Sequence, residues 1–175
     1  MDIVIAIAHI VGSIVVLIIF SIFIMYVASI EAEKIQKQSA EEASVALGIP
    51  IEKLESEEYA KKILEYSHQK FGSDLFQNRL SDLCGSIRTL WGWLSNLAQI
   101  LILGTACWYT ATDSLENAIY SWWLVGAGIA FWFVSYIFSL TCKLLTGRYP
   151  GQAKGARESA AKWVKENGDV LLRQE

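Results

Sequence analysis

Two histidines and three cysteines are the side chains best suited to metal or nucleophilic chemistry in this 175-residue chain. His9 lies in a long uncharged run and His68 in a charged segment, so they are expected on opposite sides of a membrane and unable to share a metal. Cys84, Cys107 and Cys142 are odd in number and far apart, which excludes a disulfide framework. Cys84 and Cys142 fall near the expected inner interface, where a thiol is open to lipidation or oxidation. A small, inert, buried thiol is the plainer reading. Gly147–Gly155 is glycine-rich but lacks the Gly-Lys-Ser/Thr ending and the preceding strand of a phosphate loop. With no nucleophile–base pair and no metal set to assemble, the chain reads as a non-enzyme with no cofactor. His9 stays open: an ionisable group inside a membrane is a functional candidate, here a proton or cofactor site. The alternative is a neutral histidine hydrogen-bonded to a neighbouring helix.

The elements that carry these residues follow from where the charges lie. Hydrophobic residues make up 53% of the chain and charged ones 19%, which excludes a disordered chain. A net charge of −3 gives no electrostatic case for nucleic acid. Ile3–Ile30, Thr89–Thr112 and Asn117–Cys142 contain no charged residue at all. Each exceeds the ~20 apolar residues that a helix needs to cross ~30 Å of hydrocarbon, and each is far too long for a barrel strand. The expectation is an all-α polytopic membrane protein with three transmembrane helices. Asp2 stands where a signal peptide would carry a base, and the first apolar run is too long for one, so it reads as a retained anchor.

All fifteen Lys and Arg lie between residues 31 and 88 or from Lys143 onward. The positive-inside rule then gives an N-out, C-in orientation. The expected order is transmembrane helix 1 over 1–30, a cytoplasmic helical segment over 31–88 and transmembrane helix 2 over 89–112. A short external turn over 113–116, transmembrane helix 3 over 117–145 and a cytoplasmic amphipathic tail over 146–175 complete it. Glu31–Leu47 continues the first helix, Gly48-Ile49-Pro50 ends it, and Ser56 has the position of an N-cap. Trp91 and Trp93 suit an inner aromatic belt; Trp108, Tyr109, Tyr120, Trp122 and Trp123 suit an outer one.

Small and uncharged polar residues form seams along the second and third spans. Thr89, Gly92, Asn96, Gln99, Leu103 and Ala106 alternate at spacings of three and four; Ser121, Gly128, Ser135 and Cys142 recur every seven. Such seams let helices approach closely and bond to one another. The first span has only Ala6, His9 and Ser13, so the second and third are expected to form an inner hairpin with the first outside them. The seams read either as plain helix packing or, in a ring of subunits, as a lining for ions or protons. Asn96 and Gln99 need partners inside the bilayer, which points to a homo-oligomer or to other membrane subunits.

The residues Gly85-Ser86-Ile87-Arg88-Thr89-Leu90-Trp91-Gly92 add a family likeness. With the topology, they resemble the ExbB/TolQ proton-channel stators, whose second span begins Gly-Leu-Phe-Gly-Thr-Val-Trp-Gly. Gly85, Thr89, Trp91 and Gly92 match; Arg88 stands where that family has glycine. The resemblance implies that Thr89 faces a central pore and that a single-span partner lends an intramembrane Asp. The leading expectation is a non-enzymatic subunit of a bacterial inner membrane that oligomerises through spans 2 and 3 into an ion or proton channel or stator-like assembly. The alternatives are a structural or accessory subunit of a larger membrane complex and a membrane-permeabilising effector.

Overall fold

The computed structural model describes residues 2–54 and 56–172. The protein is α-helical, with no strand among the described residues. Its helices are α1 (Ile3–Leu47), α2 (Ala60–Phe71), α3 (Phe76–Thr112), α4 (Trp123–Thr146) and α5 (Gln152–Leu172). Three stretches are long and apolar enough to cross a membrane: α1, α3 and Leu115–Thr146. Their large side chains point outward, with Val4 and Met25 each 72% exposed and Trp93 73%. In water such a surface would aggregate. Against lipid tails, which are as apolar as leucine, it is at home.

At 1.5 Å per residue, α1 reaches about 68 Å, more than twice the ~30 Å of hydrocarbon. It therefore continues past Ile30 as a charged helix. It stops where Gly48 adopts φ +66, the left-handed position that ends helices without a Cβ penalty. Ser44 Oγ donates to the Ile49 carbonyl at 2.6 Å and secures that end. Ser56 is not an N-cap: its hydroxyl donates back to the Lys53 carbonyl, and a 3-10 turn over Glu57–Tyr59 precedes α2. The third apolar stretch opens as a 3-10 helix, Leu115–Trp122, whose N-cap Ser114 accepts from the Glu116 amide. The last three residues of the 146–175 tail lie outside the described residues.

Two compact units divide the chain. One comprises Met1–Ala28 and Ile87–Ser139, the other Ser29–Ser86 and Leu140–Glu175. The first, the apolar unit, has only Asp2, Arg88, Asp113 and Glu116 as charged residues. The second, the charged unit, carries the rest.

The charged unit is tied together at the C-terminal end of α2. The last carbonyls of a helix have no partner within it. Here Asn78 Nδ2 donates to the Gly72 carbonyl at 2.7 Å, and Arg148 Nη2 to that of Lys70 at 2.7 Å. Arg157 Nη1 donates to that of Phe71 at 2.8 Å and also pairs with Asp82. Two cations at a helix C-terminus also suit its dipole. Asn78 is fully buried, so its bonds are made away from water. The turn after α4 is held to α3 in turn: Gly151 N donates to the Ser81 carbonyl, and Ser81 Oγ to that of Tyr149. A Cβ on Gly85 would lie 2.7 Å from the Gly151 Cα, so backbone meets backbone there.

Gly85→Ala should therefore lower the thermal stability of the purified chain by roughly 1–3 kcal/mol, the usual cost of overpacking. Gly104→Ala, with nothing within 4 Å of its Cβ, should instead be neutral or gain up to about 1 kcal/mol from helix propensity. Equal effects of the two substitutions would contradict the close approach.

Candidate functional site

In the apolar unit, small residues bring α1 against the chain that leads into α4. Ala6 and Ser13 on α1 are buried, as are Ala118 and Ser121. Ser121 Oγ donates to the His9 carbonyl at 3.1 Å, and Trp122 Nε1 donates to His9 Nδ1 at 3.0 Å. The second bond makes Nδ1 an acceptor, so the neutral ring carries its proton on Nε2. It gives His9 a structural partner, and Nε2, which carries the ring proton, is left as a donor with no free lone pair to ligate a cofactor. Farther along, a Cβ on Gly128 would lie 2.6 Å from Leu17, and Phe20 meets Trp132 edge-on at 6.1 Å. So α1 is not peripheral to the hairpin: its short Ala6–His9–Ser13 face is packed directly on it.

Trp122 and Trp91 both have belt positions in the sequence. Trp91 instead turns inward, donating from Nε1 to the Phe131 carbonyl at 3.3 Å, with ring centroids 5.1 Å apart. Trp93, Trp108 and Trp123 do point outward, at 68–73% exposure.

The two seams meet only in part. Gly92, Asn96 and Gln99 of α3, with Gly128 and Ser135 of α4, line a groove of about 330 Å³ whose far wall is α1 around Phe20. Gln99 donates to Ser95 Oγ at 3.3 Å. Asn96 is exposed, and its side chain has no hydrogen-bond partner among the described residues. An unbonded amide in hydrocarbon costs roughly 4–8 kcal/mol. Gly92 leaves open space beside it, so another helix has room to approach. Thr89 and Ser121 lie outside this groove. Ser121 belongs to the contact with His9, and Cys142 is buried in the charged unit beside Thr146.

The charged unit holds a second, smaller pocket, of about 100 Å³. Lys70 of α2, Lys143 of α4 and Arg148 line it, opposite Glu42 of α1. Burial draws the Lys70 pKa down, but its bonds to Glu42 and Tyr66 outweigh that and hold it above the ordinary lysine value. Burial draws Arg148 below its ordinary value, partly offset by Asp82 and Glu42. Nothing in the local sequence spacing announced this pocket or the closed end of α2. Arg148 and Lys70 are 78 positions apart, and Arg157 and Phe71 are 86.

Removing the indole donor in Trp122→Phe should cost about 0.5–1.5 kcal/mol of thermal stability. His9→Phe should cost a similar amount, and the double variant less than the sum. Strict additivity in that cycle would contradict a direct His9–Trp122 bond.

Comparison with known proteins gives one family, superinfection exclusion protein A, which matches over residues 2–162. No curated protein and no solved structure matches the chain. The match overturns the resemblance to the ExbB/TolQ stators, which rested on topology and a short stretch. The residues of that stretch have packing roles here, Gly85 against Gly151 and Trp91 against Phe131, and Thr89 lies outside the groove. The matched residues take in all three membrane-spanning stretches and the closed end of α2. The chain is an integral membrane protein and belongs to the superinfection exclusion protein A family.

Proposed function

We propose that this chain is a non-enzymatic superinfection exclusion protein of the bacterial cytoplasmic membrane, which blocks a second phage while its genome is crossing that membrane. The family match over residues 2–162 carries this reading. Three stretches long and apolar enough to cross a membrane support a station in the barrier that an incoming genome must pass. The N-out, C-in orientation is part of the proposal, supported by the confinement of all fifteen bases to 31–88 and the tail.

The working face is the groove around Asn96 and Gln99. Copies of the chain associate through α3 and α4, with the Asn96 amide, donor and acceptor at once, bonding to its counterpart on a second copy. Each such bond contributes only about 0.6–2 kcal/mol in a membrane, so close packing along Gly92 has to add to it.

The test is a challenge assay. Cells expressing the chain should adsorb a sensitive phage normally, yet admit its genome poorly. The same genome introduced by electroporation should yield phage at the control level. Equal losses by both routes would place the block after genome delivery and contradict the proposal. Collapse of the membrane potential on expression alone would point instead to a permeabilising assembly. In mild detergent the mass should exceed one chain; a strict monomer would rule out the self-associating face.

A further inference from the structure

We propose that the pocket formed by Lys70, Lys143 and Arg148 in the charged unit binds the phosphate group of an anionic membrane phospholipid. Three observations carry it. The first is charge: three cations, drawn from α2, α4 and the turn after α4, line the pocket with one carboxylate, Glu42, while Asp82, which also acts on Arg148, is paired with Arg157. Glu42 is committed to Lys70. Among the described residues, neither Lys143 nor Arg148 has a carboxylate within ion-pair distance. Lys143 Nζ donates to Tyr149 Oη at 3.0 Å and lies over its ring. Arg148 spends Nη2 on the Lys70 carbonyl, while its Nη1 is buried with no partner. A buried guanidinium nitrogen without an acceptor is costly, and a small relaxation of the pocket would offer it to an anion.

The second observation is position along the chain. Lys143 lies in the last turn of the membrane-spanning helix α4, and Arg148 follows five residues later. Bases just past the end of a span stand at headgroup depth, where each contributes about 1 kcal/mol of attraction to an anionic surface. The third is size and lining. About 100 Å³ is the room of roughly three waters, enough for a phosphate group and too little for a bulky ligand. Gln38, Ser39 and Gln152 complete a polar rim around it.

The test uses the full chain in mild detergent, with thermal unfolding followed as lipid is added. Phosphatidylglycerol should raise the midpoint by several degrees, and phosphatidylcholine should not. Lys143→Gln should cut the phosphatidylglycerol shift to about half or less, measured from its own lipid-free midpoint, which the loss of the exposed contact with Tyr149 lowers only slightly. Lys162→Gln, which removes one positive charge from an exposed pair with Glu166, should leave the shift intact. Equal shifts from the two lipids, or a full shift in Lys143→Gln, would overturn the proposal. A matching shift from inorganic phosphate alone would assign the pocket to a free anion and overturn the lipid assignment.

Discussion

The charged unit depends on the closing of one helix end. The carbonyls of Lys70, Phe71 and Gly72 are left open where α2 stops, and a buried carbonyl cannot stay open. Asn78 reaches them from α3, Arg148 from the turn after α4, and Arg157 from α5. Three elements, two of them distant in sequence, are thus fixed by one cluster of acceptors. Once Arg148 is fixed, so is the turn that carries it. Gly147 and Gly151, with φ +71 and +78, allow that turn to be tight, and Gly151 then lies against Gly85. The pocket of Lys70, Lys143 and Arg148 is a by-product of the same closure, because Arg148 belongs to both.

The apolar unit is governed by the complementary rule, that nothing polar can stay unmatched where there is no water. Most of its hydroxyls comply locally, bonding to the carbonyl a turn earlier, as Ser21, Thr105 and Thr110 do. His9, Trp91, Ser121 and Trp122 comply between segments. Asn96 finds no partner among the described residues. It lies beside Gly92, where a second helix has space to come close. That exception is what gives the proposed self-association a physical cause rather than a resemblance.

Much of the fold was legible in the sequence because charge cannot be placed in hydrocarbon. The uncharged runs marked the spanning stretches, Gly48 marked the end of α1, and the 146–151 turn separated α4 from α5. Local bonding was less legible. Ser56 has the position of an N-cap but donates backward, and the third stretch begins as 3-10 helix, a difference that periodicity does not resolve. The seams were visible as spacings, but not their division. Ser121 went to His9, Gly128 to Leu17, and Asn96 and Gln99 to the groove. The His9–Trp122 bond spans 113 positions, and no pattern within either segment encodes it. The family was not legible at all, since a few small and aromatic residues at packing spacings recur in unrelated membrane helices.

The most direct measurement of the proposed role is the efficiency of phage exclusion by the Asn96→Leu, Gln99→Leu double variant at wild-type membrane levels. Leucine keeps the helix and its lipid compatibility and removes only the amides. Loss of exclusion by about tenfold or more, equivalent to ~1.4 kcal/mol of interaction, is the expected result. Undiminished exclusion would contradict a working role for the groove.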